Sequence, residues 1–256
     1  MSAEGGAFLV LQVRPESEAA DDEYAAILAK GALSPERTIR VRLDREGAPG
    51  TDVLERVAGI IVGGGPGCVS DPEHEKSTVE QRMERAVFAL LDTVVTADFP
   101  FLGCCYGIGA LGHHLGAPIS KARYSEPVGA TDCVLTEAGR DDPLLSGVPG
   151  RFRAFVGHKE ALQALPHGCA HLVASSVCPY QMIRHGRHVY ATQFHPEADA
   201  AGFETRIGVY RERGYFPAED AERLIAACRA ENVHAPELVL RNFVRRYRDD
   251  EGERPR

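Results

Sequence analysis

Apolar residues form short runs in the first half of the chain, and amphipathic stretches separate those runs. Four runs have the length and the β-branched or aromatic content of buried strands: Phe8–Val13, Thr38–Leu43, Val57–Val62 and Phe101–Cys104. Three stretches predict helices: Asp21–Leu33, Ser77–Val95 and Gly109–Leu115. Strands that alternate with helices pair in parallel, so this half predicts a three-layer α/β fold whose mostly parallel central sheet has helices on both faces.

The second half has a different pattern, with shorter strands joined by turns. Five are predicted: Val128–Leu135, Arg151–Val156, His171–Ser175, Tyr180–His185 and Arg187–Gln193. We expect several to pair antiparallel, with a hairpin turn at His185-Gly186-Arg187. Two terminal helices follow, Ala218–Ala230 and Pro236–Tyr247, and then a frayed charged tail, Asp249–Arg256. We expect residues 1–256 to form a single domain, with a core of about residues 7–198 and a helical C-terminal extension of about residues 199–248.

The charge balance argues against a nucleic-acid binder. The 256 residues include 29 Lys and Arg against 37 Asp and Glu, a formal net charge of −8, whereas such binders usually carry a basic patch. The longest apolar runs, such as Val57–Val62, are far shorter than the ~18 residues of a membrane span. No basic segment followed by a long apolar run begins the chain, so no signal peptide is predicted. We therefore expect no nucleic-acid or membrane partner and a cytoplasmic location.

Cysteine spacing supports the same location. The chain has 7 cysteines, an odd number, and none of them forms a C-x-x-C pair. Neither a disulfide framework nor a zinc site is therefore predicted, and we expect no metal and no cofactor. Most of these thiols should be small buried apolar groups, and one of them belongs to the strongest local motif.

That motif is Gly103–Gly107, where a short strand enters Gly-x-Cys-x-Gly and then a helix, as in a nucleophile elbow. The turn is so tight that residues two before and two after the nucleophile must be small. Cys105 meets this condition, whereas Cys104 has Leu102 and Tyr106 at those positions. Cys105 is therefore the candidate nucleophile, at a helix N-terminus that favours a thiolate. The alternative is that the glycines only allow the helix to pack closely on the strand.

A rival pattern overlaps this motif. Gly107-Ile-Gly109-Ala-Leu-Gly112 spells G-x-G-x-x-G, and Asp132 lies 20 residues beyond its last glycine, as in a dinucleotide-binding fingerprint. Such a fingerprint normally follows the first strand of its sheet, whereas this one follows a later strand. The pattern is therefore weak support for a dinucleotide site.

Two further segments supply the other groups that thiol chemistry needs. His195-Pro196-Glu197 follows a predicted strand and offers a base together with a carboxylate to orient it. The glycine run Gly63–Gly67 follows Val57–Val62, and it is too short and lacks the Lys for a phosphate-binding loop. Its backbone could approach a ligand closely and donate to an oxyanion. Taken alone, the run would be interpreted as an ordinary loop at the end of a strand.

Together and in this order, the three motifs resemble those of the class I (triad) glutamine amidotransferases. The intervening Gly157-His158-Lys159 and Ala174-Ser175-Ser176 resemble segments of the glutaminase domain of GMP synthetase. The resemblance covers about residues 8–198 and implies the flavodoxin-like fold of that family. It also implies that Cys105 is the nucleophile, His195 the base and Glu197 its orienting carboxylate. Backbone at Gly64, Gly65, Gly67 and Tyr106 would form the oxyanion and substrate site.

One position departs from the family pattern. The family's elbow usually continues Gly-His-Gln, and that Gln helps to hold the α-amino-acid end of glutamine, but this chain has Gly109 there. The substrate is therefore glutamine held by other residues, or another γ-glutamyl amide.

Three functions remain open. The first is a glutaminase that supplies ammonia to a separate synthetase subunit, because the roughly sixty residues after Glu197 leave no room for a synthetase. The second is a free-standing hydrolase of γ-glutamyl amides or peptides. The third is a non-catalytic binding or regulatory protein, against which the intact triad argues. The sequence does not predict the oligomeric state.

Arginines cluster on the C-terminal extension. They are Arg206, Arg211, Arg213, Arg241, Arg245, Arg246 and Arg248. The simpler interpretation is that they lie on solvated helix faces in i,i+4 pairs. The alternative is a docking surface for an acceptor enzyme or second subunit.

Overall fold

The computed structural model describes residues 6–213 and 215–248. Its strands are β1 (Ala7–Gln12), β2 (Thr38–Arg42), β3 (Val57–Val62), β4 (Phe101–Cys104), β5 (Ile119–Ser120), β6 (Glu126–Leu135), β7 (Arg151–His158), β8 (Ala161–Leu162), β9 (Cys169–Ser175), β10 (Met182–His185) and β11 (Val189–Thr192). Its α-helices are α1 (Ser17–Gly31), α2 (Thr78–Thr96), α3 (Tyr106–His114), α4 (Glu137–Arg140), α5 (Ala200–Tyr210), α6 (Ala221–Arg229) and α7 (Glu237–Arg248). The predicted tail at 249–256 lies outside the described residues.

Nine strands form one sheet in the order β2-β1-β3-β4-β11-β10-β9-β6-β7. The first five pair in parallel, and β10, β9, β6 and β7 extend the sheet by antiparallel pairing. The β10–β11 hairpin turns at Gly186, whose φ of 56° lies in the left-handed region. The predicted α/β fold class is confirmed, and the antiparallel portion comprises four strands. Strands β5 and β8 form a separate pair.

Side chains of the central strands alternate between two apolar cores, as the pleat of a strand requires. Phe8, Val10 and Ile61 lie in one core, together with residues of α1 and α7. Leu9, Leu11, Ile60 and Val62 lie in the other core with residues of α2 and α3. Every residue of β3 is buried, as expected of a strand covered on both faces. Helices therefore cover both faces of the sheet.

The terminal helix α7 belongs to the core. Its apolar positions Leu240, Phe243, Val244 and Tyr247 are buried, while Arg241 is exposed. The Phe243 ring meets Phe8 edge-on with centroids 6.0 Å apart. Packing of this apolar stripe against the sheet and α1 is what makes the segment a stable helix.

The predicted boundaries differ from the structure near the elbow. Helix α3 begins at Tyr106, three residues before the predicted start, because the chain enters the helix directly from Cys105. The glycines of the G-x-G-x-x-G pattern therefore lie inside α3, and a Cβ on Gly112 would collide with the Leu162 side chain. These glycines are thus not the turn between strand and helix that a dinucleotide fingerprint requires.

Helix α5 was not separately predicted, although the extension was expected to be helical. It begins after Asp199, whose side chain accepts a hydrogen bond from Gly202 N–H. Within the described ranges, no helix combines the length and apolar character that crossing a bilayer requires.

Candidate active site

The candidate residues converge where three neighbouring parallel strands end. Val62 pairs with Gly103 across β3 and β4, and Thr192 pairs with Cys104 across β11 and β4. Consequently, the segments that follow β3, β4 and β11 emerge side by side. In open α/β sheets this carboxyl edge is where ligands bind.

Cys105 occupies a strained turn between β4 and α3. Its φ is 51° and its ψ is −88°, a positive-φ conformation that is uncommon for a residue with a side chain. A Cβ on Gly103 would lie 2.9 Å from the backbone of Gly107, whereas a Cβ on Gly107 would meet nothing nearer than 3.9 Å. The steric requirement for a small residue thus falls on Gly103.

The two adjacent cysteines have different surroundings. Cys104 is buried in the apolar core beneath the sheet, while Cys105 and His195 line one cavity. Burial raises the pKa of the Cys105 thiol to about 12, against the opposing effect of Arg14. The resting group is therefore a thiol and not the thiolate that the helix N-terminus was expected to favour, because burial outweighs that effect. Its reaction as a nucleophile consequently requires a base.

The predicted base, His195, lies against the predicted orienting carboxylate, Glu197. The ring Nδ1 lies 2.8 Å from Glu197 Oε1, and both side chains are almost fully buried. Burial lowers the pKa of His195, and Glu197 opposes that shift. Burial also disfavours the Glu197 carboxylate, but His195 and Arg206 prevail and hold the pKa of Glu197 well below its ordinary value. The pair therefore rests as neutral imidazole beside a carboxylate.

Arg206 is not a surface residue, contrary to both sequence interpretations. Its side chain is 7% exposed, and its Nη2 donates to Glu197 Oε1 at 2.8 Å. The sequence suggested an exposed position because Arg206 stands among charged residues of the extension. Helix α5 instead turns it inward beside Phe203 and Ile207, which line the same cavity.

The glycine run is shaped by the groups packed against it. A Cβ on Gly64 would lie 2.6 Å from His195 Cε1 and 2.8 Å from Arg14 Nη2, and one on Gly65 would lie 2.6 Å from Val13 Cγ2. Gly64 N–H donates to Glu23 Oε1, which also accepts from Arg14 Nε at 2.8 Å. This buried ion pair fixes the loop, so Gly64 supplies space for His195 and no free donor.

Two predicted oxyanion donors remain beside Cys105. Tyr106 is the first residue of α3, where backbone N–H groups have no partner within the helix. For Gly65 N–H, the described part of the chain supplies no acceptor. Gly65, Gly67 and Tyr106 all line a second cavity with Cys105.

The second cavity also contains two charged side chains, Lys159 and Glu160. Glu160 accepts from Val69 N–H and Ser70 N–H, each at 2.8 Å. A Cβ on Gly109 would lie 3.0 Å from Glu160 Oε1. The Glu160 carboxylate therefore occupies the space into which a side chain at position 109 would extend.

Tyr215 closes this cavity from the C-terminal extension. Its hydroxyl donates to Pro66 O at 2.6 Å, and Lys159 Nζ lies 3.9 Å from its ring centroid. The extension thus contributes Arg206 and Tyr215 to the site, and no motif in the sequence pointed to either residue.

A buried cluster supports the turn that carries Glu160. Glu126, His158 and Cys178 place potential metal-ligand atoms within 4.8 Å of one another. Two of the three have polar partners: His158 Nε2 lies 3.0 Å from Glu126 Oε2, and the neighbouring Ser175 and Gln181 donate to Glu126. His158 Nδ1 bonds Glu160 O at 2.9 Å. These mutual contacts hold the β7–β8 turn in place.

The family model for class-I glutamine amidotransferases matches residues 33–207. This chain belongs to that family. Its relatives include the glutamine-hydrolyzing GMP synthase of Thermomicrobium roseum, 32% identical over 139 residues, which are 54% of this chain and 23% of the relative. Another relative is one subunit of the Methanocaldococcus jannaschii GMP synthase, 28% identical, with 58% of this chain and 72% of that subunit covered. The chain spans about a quarter of the length of the first curated relatives.

Solved structures share the fold. A glutamine amidotransferase from Thermotoga maritima superposes with a TM-score of 0.73 at 22% identity, covering 94% of this chain and 98% of that one. A glutamine amidotransferase from Methylobacillus flagellatus has a TM-score of 0.69 at 16% identity and covers 97% of this chain and 98% of that one. These superpositions cover more of this chain than the family model does.

Proposed function

We propose that this protein hydrolyses the side-chain amide of glutamine through a cysteine thioester. The observation that supports this most directly is the cavity shared by Cys105 and His195, with Glu197 bonded to the histidine. The family and the glutamine-hydrolyzing relatives support the same reaction class.

In the first step, Cys105 attacks the amide carbon. His195 Nε2 takes the thiol proton while Nδ1 stays on Glu197, and the new S–C bond pushes the carbonyl electrons onto oxygen. N–H groups of Gly65 and Tyr106 stabilise that oxyanion, since donors aimed at developing charge lower the barrier. The C–N bond then breaks, and the imidazolium returns its proton to the departing nitrogen as ammonia leaves.

In the second step, water hydrolyses the γ-glutamyl thioester. His195 now removes a proton from the water, the water oxygen bonds to the carbonyl carbon, and the S–C bond breaks. The sulfur takes the proton back, so glutamate leaves and the Cys105 thiol is regenerated. One base serves both steps, as the general chemistry of thiol acyl transfer requires.

We propose that Lys159 and Glu160 bind the amino-acid end of the substrate. A γ-glutamyl group carries its reactive carbonyl at one end and an α-carboxylate and α-ammonium at the other. Lys159 matches the carboxylate and Glu160 the ammonium. A carboxylate has about four acceptor sites, so Glu160 retains capacity beyond the two backbone donors that it already holds.

We propose that the ammonia passes to a separate synthetase subunit. Support comes from the relatives that are subunits of glutamine-hydrolyzing GMP synthases, of which this chain covers 72% and 70%. The free-standing hydrolase of γ-glutamyl amides remains the alternative, because Gly109 replaces the family's Gln.

Ammonia release from glutamine separates the two functions. Purified protein is offered glutamine and, in parallel, a panel of γ-glutamyl amides and peptides. The proposal predicts ammonia and glutamate from glutamine, abolished in Cys105→Ala, and stimulated by a synthetase recovered with the chain. Rapid turnover of an amine or peptide conjugate without any activity on glutamine would contradict it and support the alternative.

A further inference from the structure

Arg206 contacts both members of the His–Glu pair. Besides its bond to Glu197, its Nη1 lies 3.1 Å from His195 Nδ1. All three side chains are at most 7% exposed. The guanidinium also lies 5.4 Å from the Phe203 ring, on the same helix. A buried arginine therefore sits against the same histidine nitrogen that faces the orienting carboxylate.

This contact has a definite electrostatic consequence. A guanidinium is permanently charged, so at 3.1 Å from Nδ1 it repels a positively charged His195 ring. It also neutralises Glu197, which would otherwise attract a second proton to the imidazole. Both effects favour the neutral imidazole, the form that can accept a proton from the thiol.

We infer that Arg206 is a positioning residue that holds Glu197 in place and keeps His195 uncharged in the resting enzyme. The inference rests on the proposed function only for its kinetic consequence, because the geometry itself is independent of the substrate. Loss of the positive charge should allow His195 to protonate at higher pH, where it no longer acts as a base.

Among the described residues, the other charged or titratable groups around this pair come from several elements. Glu197 is on its own segment, Cys105 is at the elbow, and Arg14 follows β1. Asp22 on α1 interacts electrostatically with Arg206 and Glu197, and Tyr210 and Tyr215 line the cavity. Arg14 is neutralised by Glu23 at 2.8 Å and also touches Tyr210. Within the described ranges, Arg206 is therefore the cation whose contact with the histidine is direct.

Three variants test the inference. Arg206→Met removes the charge, Arg206→Lys keeps it with fewer donors, and Arg211→Met is the control. Arg211 follows α5, is 44% exposed and pairs with Glu222 at 3.2 Å. It therefore forms an ion pair with a glutamate, as Arg206 does, but lies at the surface and away from His195. Thermal unfolding of each variant verifies that the protein is folded before any comparison.

The first readout is the pH dependence of kcat/KM for glutamine. In Arg206→Met, the acid limb should move to higher pH by about one unit or more, the usual effect of one charge at this distance. Arg206→Lys should restore the limb while kcat stays reduced, and Arg211→Met should match the wild type. A fall in rate at all pH values without movement of the limb would show a merely structural role and overturn the inference.

The second readout does not depend on turnover. NMR titration of the His195 ring nitrogens should give a higher midpoint in Arg206→Met than in the wild type. An unchanged midpoint would overturn the inference even if glutamine is hydrolysed. If the wild type releases no ammonia while the midpoint moves, the proposed function fails and the role of Arg206 stands.

Discussion

Gly103 and Gly107 flank Cys105, and the structure distinguishes them. The backbone of Gly107 leaves no room for a Cβ on Gly103, whereas Gly107 itself has open space. We predict that Gly103→Ala lowers the free energy of unfolding by about 1–3 kcal/mol, the usual effect of overpacking. Gly107→Ala is the matched control and should be tolerated, since alanine favours a helix over glycine. Chemical denaturation measures both, and equal destabilisation would contradict the elbow geometry.

Glu160 gives a second prediction at the level of single residues. Glu160→Gln should reduce kcat/KM for glutamine at least tenfold, because a hydrogen bond to a charged group contributes about 1.5–3 kcal/mol. The preference for glutamine over glutaramate, measured as the ratio of their kcat/KM values, should fall as well, because glutaramate lacks the α-ammonium. Exposed Glu75→Gln serves as the control. An unchanged ratio would show that Glu160 only supports Val69 and Ser70.

The candidate site residues that sequence reasoning proposed belong to local motifs. Cys105 was separated from Cys104 by the spacing of its glycines, and His195 and Glu197 lie two positions apart. The residues that were missed each reach the site from a distant segment: Arg14, Glu23, Glu160, Arg206 and Tyr215. A short sequence pattern does not predict contacts between residues that are so far apart in the chain. The Gly109 departure was the one available signal for Glu160, since an absent side chain implies another group in its place.

At the scale of elements, the sequence predicted the positions of the two terminal helices but not their contribution to the core and the site. The extension could have been a detachable docking arm, yet α7 packs on α1 and β3, and α5 delivers Arg206. Deleting the extension would therefore remove part of the core and part of the site together. A test of the docking-surface interpretation needs point substitutions of exposed arginines instead, because a deletion would also abolish activity.

Helix α7 offers its own test. Phe243 is fully buried against Phe8 and Tyr247, so Phe243→Ala should lower the free energy of unfolding by about 3–5 kcal/mol. Arg241→Ala, on the exposed face of the same helix, should change it by no more than about 0.5 kcal/mol. Urea unfolding compares the two. A small loss in the Phe243 variant would mean that α7 is peripheral to the core.

At the scale of the whole molecule, we propose that core and extension form one domain. Charged residues on the surface of the extension mostly have partners: Arg211 pairs with Glu222, Arg213 with Glu16 and Arg241 with Glu237. The Arg241–Glu237 pair has the i,i+4 spacing of the solvated-face interpretation, whereas the other two pairs join residues that are distant in sequence.

The hydrophobic pattern predicts the overall architecture because the central strands are apolar on both faces and alternate with helices. The pattern alone does not predict that β1, β3, β4 and β11 end at one edge, because that depends on the order of the strands in the sheet. The resemblance of three motifs to a known family implied that strand order. The antiparallel half, built from short strands, was predicted as strands without their pairing partners.

The most direct test of the proposed mechanism is covalent labelling by a γ-electrophilic analogue of glutamine, followed by peptide mapping. We predict one modified residue, Cys105, with labelling blocked by excess glutamine, lost in Cys105→Ala and retained in Cys104→Ala. Label on Cys104 would show that the elbow has a different register. Absence of label on a Cys105 that still reacts with iodoacetamide would contradict a glutamine site.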